Sequence, residues 1–148
     1  MEIIKHNLKF GAMTPRNLKK IVLIILHHQC GKGQTVEQIH EYHKTKNKWA
    51  GIGYNFFIDF EGNIHEGRPL EFVPAHCNGN NTSSIGICLE GDFRKDKPTE
   101  KQLAACKELI KYLRNKFPKI GKVLNHNDLY ATLCPVINLK ELVKEWNM

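Results

Sequence analysis

The chain has 148 residues, a length suited to one domain with a substantial buried core. Hydrophobic residues make up 41% and charged residues 25%, values that exclude a fibrous or disordered chain. The formal charge of +7 favours an anionic partner (nucleic acid, anionic lipid or an anionic cell wall) and by itself chooses none of them.

The N-terminal stretch Met1-Glu2-Ile3-Ile4-Lys5 lacks the apolar core of a secretory signal, so synthesis in the cytoplasm without a signal peptide is expected. Ile21 to Leu26 is apolar and largely β-branched, which reads as a strand buried on both faces. It is far too short to span a bilayer, and no membrane insertion is expected. His27 and His28 follow directly. Thr35-Val36-Glu37-Gln38 has the form of a capping box and predicts a helix through about Thr45. Tyr54 to Phe60 reads as a strand, Glu61-Gly62-Asn63 as a turn and Ile64 to Glu66 as a short returning strand. Residues 67–84, rich in Pro, Gly, Asn and Ser, read as a long loop of the kind that carries function.

Ser84 to Gly91 is the next strand. Its parity puts Ile85, Ile87 and Leu89 on a core face, and Gly86, Cys88 and Glu90 on a floor that another group approaches closely. A second capping box, Thr99 to Gln102, opens the clearest helix, with an apolar stripe of Leu103, Cys106, Ile110, Leu113 and Phe117. Lys107, Lys111 and Arg114 share another face, expected to be solvated; no nucleic-acid partner is expected. Val123-Leu124 predicts a short strand, and Asn138 caps a last helix running toward Trp146. The pattern is α/β: a central mixed β-sheet with about three packed α-helices in a single domain, 1–148. The five cysteines form no CxxC pair, and their odd count fits reduced thiols better than a disulfide framework.

His126 and Cys134 stand in an H-x7-C spacing about a hundred residues after His27. Two imidazoles and a thiolate are ligands that zinc prefers, and three protein ligands leave the fourth position for water, as in a catalytic site. Spacing alone also allows the plainer reading of ordinary histidines and a small buried cysteine.

Four segments in order carry a family resemblance. They are Ile25-Leu26-His27-His28, Gly53-Tyr54-Asn55-Phe56, Ala75-His76 through Asn81-Thr82 into Ser84-Ile85-Gly86-Ile87, and Asn125-His126 through Cys134-Pro135. The chain resembles zinc-dependent N-acetylmuramoyl-L-alanine amidases of the type-2 family, which includes phage endolysins and the peptidoglycan recognition proteins, over about residues 20–146. The resemblance implies one zinc ion per chain, held by His27, His126 and Cys134, with His28 in a packing or supporting role. It implies that Tyr54 and Thr132 are catalytic, and that His76, Asn81 and Thr82 line a groove for peptidoglycan. Trp49 is a candidate to stack on a sugar face and Arg68 to pair with a stem-peptide carboxylate. The implied reaction cuts the bond between the N-acetylmuramic acid lactyl group and L-alanine. An endolysin working as a monomer on the wall after lysis or separate export is expected. The alternatives are a bacterial autolysin or recycling amidase, and a module that binds peptidoglycan without cutting it.

The chain departs from the family pattern at three places. Cys88 stands where some relatives carry a catalytic Glu, and Glu90, one pleat further on the same face, is the candidate replacement. Asn127-Asp128 replaces the usual Arg-Asp, and Val136 stands where a Gly often follows Cys-Pro.

Overall fold

The computed structural model describes residues 1–144 and contains one six-stranded sheet. In chain order the elements are β1 (Ile3–Ile4), β2 (Leu23–His28), α1 (Val36–Thr45), β3 (Phe56–Ile58), β4 (Ile64–Glu66), β5 (Ser84–Leu89), α2 (Glu100–Lys116), β6 (Lys122–Asn125) and α3 (Leu139–Leu142). The strand order is β1-β4-β3-β5-β2-β6, with only β3 and β4 antiparallel, so the expected mixed sheet is present. Both capping boxes form: Thr35 and Gln38 exchange hydrogen bonds at the start of α1, and Thr99 and Gln102 at the start of α2.

The strand period sorts side chains between two layers. Ile24, Leu26, Ile85, Ile87, Leu89, Phe56 and Ile58 meet Cys106, Leu109, Ile110 and Leu113 of α2, together with Leu139 of α3. On the other side Phe57 and Cys88 pack against Val36 and Ile39 of α1, with Ile52. His27 pairs in register with Cys88 and so falls on the α1 side. His28, one residue on, turns to the α2 side, where its ring lies 5.6 Å from that of Phe93. The floor expected from the parity of β5 is therefore the α1 side of the sheet.

Several expected boundaries shift. β2 begins at Leu23 because the 3-10 turn Leu18–Lys20 holds Ile21 through a bond to Leu18 O, and the strand runs on through both histidines. β3 is shorter than expected and leaves Tyr54 in the preceding segment. The pair Ile3–Ile4, too short to show a period, joins the sheet edge beside β4. α3 ends at Leu142, and Trp146 lies outside the described residues. All five cysteines are free.

Candidate metal centre and groove

β2 delivers His27, the end of β6 delivers His126, and the loop that follows delivers Cys134. One ligand atom from each lies within 4.8 Å of the others. His27 Nδ1 is 3.9 Å from Cys134 Sγ. Zinc bonds of about 2.0–2.1 Å to nitrogen and 2.3 Å to sulfur set tetrahedral donors roughly 3.3–3.6 Å apart, so the His27–Cys134 pair is within a few tenths of an ångström of that spacing and the widest pair of the trio closes by about 1 Å. His126 Nδ1 is buried with no hydrogen-bond partner, an unusual condition for a ring nitrogen and the one expected of an atom kept for a cation. Burial lowers the pKa of His27 and His126, and for His27 the neighbouring His76, His126 and His28 add to the effect. Both rings are thus neutral donors. Burial pushes the Cys134 thiol up to about 12 without a metal; a bound divalent cation reverses that by deprotonating the thiol. The residues fit zinc.

His28 is not brought to this cluster. Its Nδ1 accepts from Phe93 N at 3.1 Å on the far side of the sheet. Its backbone N–H points at Cys134 Sγ at 3.4 Å, so it supports the thiolate through the main chain alone.

Above the three donors lies a groove of about 490 Å³, walled by Trp49, Tyr54, His76, Thr132 and Leu133 among others. Among the described residues, no Asp or Glu lines it. A second hollow of about 350 Å³ continues past Trp49, His76 and His126 to Asn81 and Tyr130. The Tyr54 ring lies 5.2 Å from that of His27. Burial first, then the nearby Cys88 and Cys134 thiols, raise the Tyr54 phenol well above its ordinary value, so it is a proton donor at neutral pH. Thr132 Oγ accepts from Cys134 N at 3.2 Å, which leaves its own hydrogen to donate. Trp49 is 40% exposed, with its ring edge against His43 at 4.9 Å and its remaining surface toward the groove. Asn81 Oδ1 accepts from His76 N and Cys77 N at 3.0 and 2.9 Å, so its side chain shapes the loop.

Three sequence candidates stand elsewhere. Arg68 is 5% exposed, and its guanidinium donates to Ile52 O, Val73 O and Gly51 O at 3.0, 3.0 and 3.2 Å. With each of its three guanidinium nitrogens bonded to a carbonyl, it braces the segment before Tyr54 and is not among the groove's lining residues. Thr82 is exposed and offers its carbonyl to Arg16 at 3.3 Å, away from the groove lining. Glu90 accepts from Gly33 N at 2.7 Å and Phe60 N at 2.9 Å, so it ties loops together outside the groove and does not replace the missing carboxylate.

Sequence reading missed the residues that hold Tyr54. His40 Nδ1 and His43 Nδ1 of α1 accept from Ile52 N and Gly53 N, each at 3.0 Å. Their i,i+3 spacing on one predicted helix face was the available signal. Asn55 bridges Arg68 O and Gly86 N, both at 3.0 Å. Asn125 donates to Asn138 Oδ1 at 2.7 Å and accepts from Lys140 N at 3.0 Å, pinning the end of β6 beside His126. Asp128 accepts from Asn125 N at 2.8 Å, which gives the Asn127-Asp128 pair a structural use.

Comparison with known proteins agrees with this geometry. The family described as N-acetylmuramoyl-L-alanine amidase matches residues 17–136. The endolysin of Enterobacteria phage K11 is 32% identical over 114 residues, 74% of each chain. Peptidoglycan-recognition protein SC2 of Drosophila melanogaster is 32% identical over 133 residues, covering 83% of this chain and 72% of that one. Among solved structures, the N-acetylmuramoyl-L-alanine amidase LysC from Clostridium intestinale superposes with a TM-score of 0.90 at 32% identity, over 100% of this chain and 99% of that one. Sequence, fold and groove together place this chain in the N-acetylmuramoyl-L-alanine amidase family.

Proposed function

We propose that this amidase hydrolyses the amide between the lactyl group of N-acetylmuramic acid and L-alanine in peptidoglycan. In this reading it works as an endolysin and a monomer, with one zinc ion per chain held by His27, His126 and Cys134. It is made in the cytoplasm and meets the wall at lysis or after separate export. The observation that carries the reading is the trio of donors within 4.8 Å of one another on the floor of a groove. The likeness to the K11 endolysin supports the biological setting.

Zinc at that position supplies Lewis acidity and lowers the pKa of an attacking water from 15.7 toward about 7. The chain's own groups do the rest. Thr132 donates its hydroxyl hydrogen to the carbonyl oxygen as charge develops there, a contribution of about 2.7–4 kcal/mol for a well-placed donor. Tyr54, a neutral phenol, orients the water and passes a proton to the leaving amine. Trp49 offers an apolar face to a sugar ring, and His76 and Asn81 shape the wall along which the stem peptide lies. Cys88 beside Tyr54 is a buried thiol whose pKa is raised well above its usual value, so it carries no charge and leaves the proton relay to the phenol.

The test is to incubate metal-quantified protein with purified peptidoglycan and measure newly freed L-alanine amino termini. Release that stops with a chelator and returns with zinc is expected. Zinc bound at one per chain without release would replace the reading with peptidoglycan recognition, and a protein that takes up no zinc would overturn the ligand assignment.

A further inference from the structure

Behind His27 runs a hydrogen-bonded chain that the reaction above does not use. His27 Nε2 lies 2.8 Å from His76 Nδ1, and His76 Nε2 lies 3.0 Å from Ser84 Oγ. All three residues are buried, His27 at 1%, His76 at 8% and Ser84 at 0% exposure. The His76 ring lies directly over Gly86, where an added Cβ would stand 2.6 Å from its Cγ. Asn81 fixes the backbone on one side of His76, through the two bonds to its Oδ1. Asn55 fixes Gly86 beneath it, with bonds of 3.0 Å in both directions. The ring therefore has one seat.

Counting hydrogens gives this chain a direction. A neutral imidazole has one N–H and one bare nitrogen. His27 Nδ1 is the nitrogen that faces Cys134 Sγ, so it must be bare to take a metal. The hydrogen then sits on Nε2 and needs an acceptor, and His76 Nδ1 is the only group placed to accept it among the described residues. His76 in turn carries its hydrogen on Nε2 and donates it to Ser84 Oγ. The opposite arrangement puts a hydrogen on His27 Nδ1, pointing at the other ligands and blocking the cation.

We propose that His76 is the positioning residue of the metal centre: it accepts the Nε2 hydrogen of His27 and thereby commits His27 Nδ1 to the metal. The proposal rests on the zinc reading above. Metal-bound histidines usually donate their other N–H to a carboxylate, a carbonyl or water. Here the acceptor is a neutral imidazole. The partner adds no negative charge, so Cys134 supplies the centre's single anion and the cation keeps more of its Lewis acidity. Because His76 also walls the groove, the substrate loop and the metal share one side chain.

The experiment compares the wild type with His76→Ala and His76→Asn. Zinc dissociation constants come from competition with a chromophoric chelator, and the His27 tautomer from ring-nitrogen NMR of the zinc-free protein. The expected result is a 10–100-fold loss of zinc affinity in His76→Ala. Most of it should return in His76→Asn, whose amide oxygen can accept the same hydrogen. Wild-type His27 is expected as the Nε2–H tautomer alone, and as a mixture in His76→Ala. If His76 only walls the groove, both variants keep wild-type affinity and His27 keeps one tautomer, and the proposal is overturned while the zinc reading stands. A wild type that binds no zinc would overturn both.

Discussion

The residue that separates positioning from chemistry most sharply is Tyr54. Its ring packs between those of His27 and His43, with centroids 5.2 and 5.6 Å away, and its hydroxyl is the only part that Phe lacks. Tyr54→Phe should keep the packing and the zinc, and lose the proton relay. Steady-state kinetics on a soluble muropeptide should show kcat lowered on the order of 10²-fold with KM nearly unchanged. A variant with wild-type kcat would remove Tyr54 from the reaction. His27 and His126 were legible because both histidines follow apolar runs, and Cys134, in a loop with no such run, was legible only because the four motifs follow one another in the order the family resemblance gives. Arg68 was not, because its burial depends on Gly51, Ile52 and Val73 converging their carbonyls, which no local pattern records. Glu90 shows the reach of strand parity: it does lie on the α1 side, along a separate hollow with Val36 and Phe57, but one pleat beyond Cys88 carries it past the groove to Gly33 N and Phe60 N.

At the scale of elements, the helices were readable and the loops were not. Capping boxes are written in four consecutive residues, so both helix starts fell where expected. The loop after β6 that carries Thr132 and Cys134 has no such local code. Its geometry depends on Asn125 bonding Asn138 and on Cys134 N finding Thr132 Oγ. One residue in that segment pays for its position. Val136 has a φ of 68°, a left-handed conformation that is a genuine outlier for a β-branched residue. This is the position where the family pattern often has Gly, which adopts such a φ without steric cost. Strain of this kind amounts to about 1–3 kcal/mol, and the greater unfolded-state freedom of Gly offsets about 0.5–1 kcal/mol of the relief. Val136→Gly should therefore raise stability by roughly 1 kcal/mol. Urea unfolding midpoints of the two proteins measure it. A lower midpoint for the variant would mean that the partly exposed Val136 side chain contributes more by packing than its backbone costs.

For the molecule as a whole, the sheet divides two kinds of interior. The α2 side is an apolar core of the usual sort. The α1 side buries His27, His43 and His76 around the site. An imidazole buried neutral must stay neutral, so this side makes the fold sensitive to acid. For His43 the cause is burial first, helped by the positive charge of Arg68 nearby, and its pKa falls to about 4. Protonation there would also cost Gly53 its hydrogen-bond acceptor. In the unfolded chain the same group takes its proton near 6.5. Between those two values the unfolded state binds more protons than the folded state, so stability rises with pH through the window and falls as pH is lowered. His76, pushed down to about 3 by burial and by neighbouring His126 and Arg16, extends the loss to lower pH. The zinc-free protein should keep its full stability above about pH 6.5 and lose it steadily from there to pH 4.5, before most carboxylates begin to protonate. In His43→Gln, whose amide oxygen can still accept from Gly53 N, the slope should fall by up to one proton, about 1.4 kcal/mol per pH unit. Urea unfolding in chelator at intervals of half a pH unit reads both slopes. A wild-type profile flat from pH 7 to 4.5 would mean that water reaches these rings and that burial does not hold them neutral.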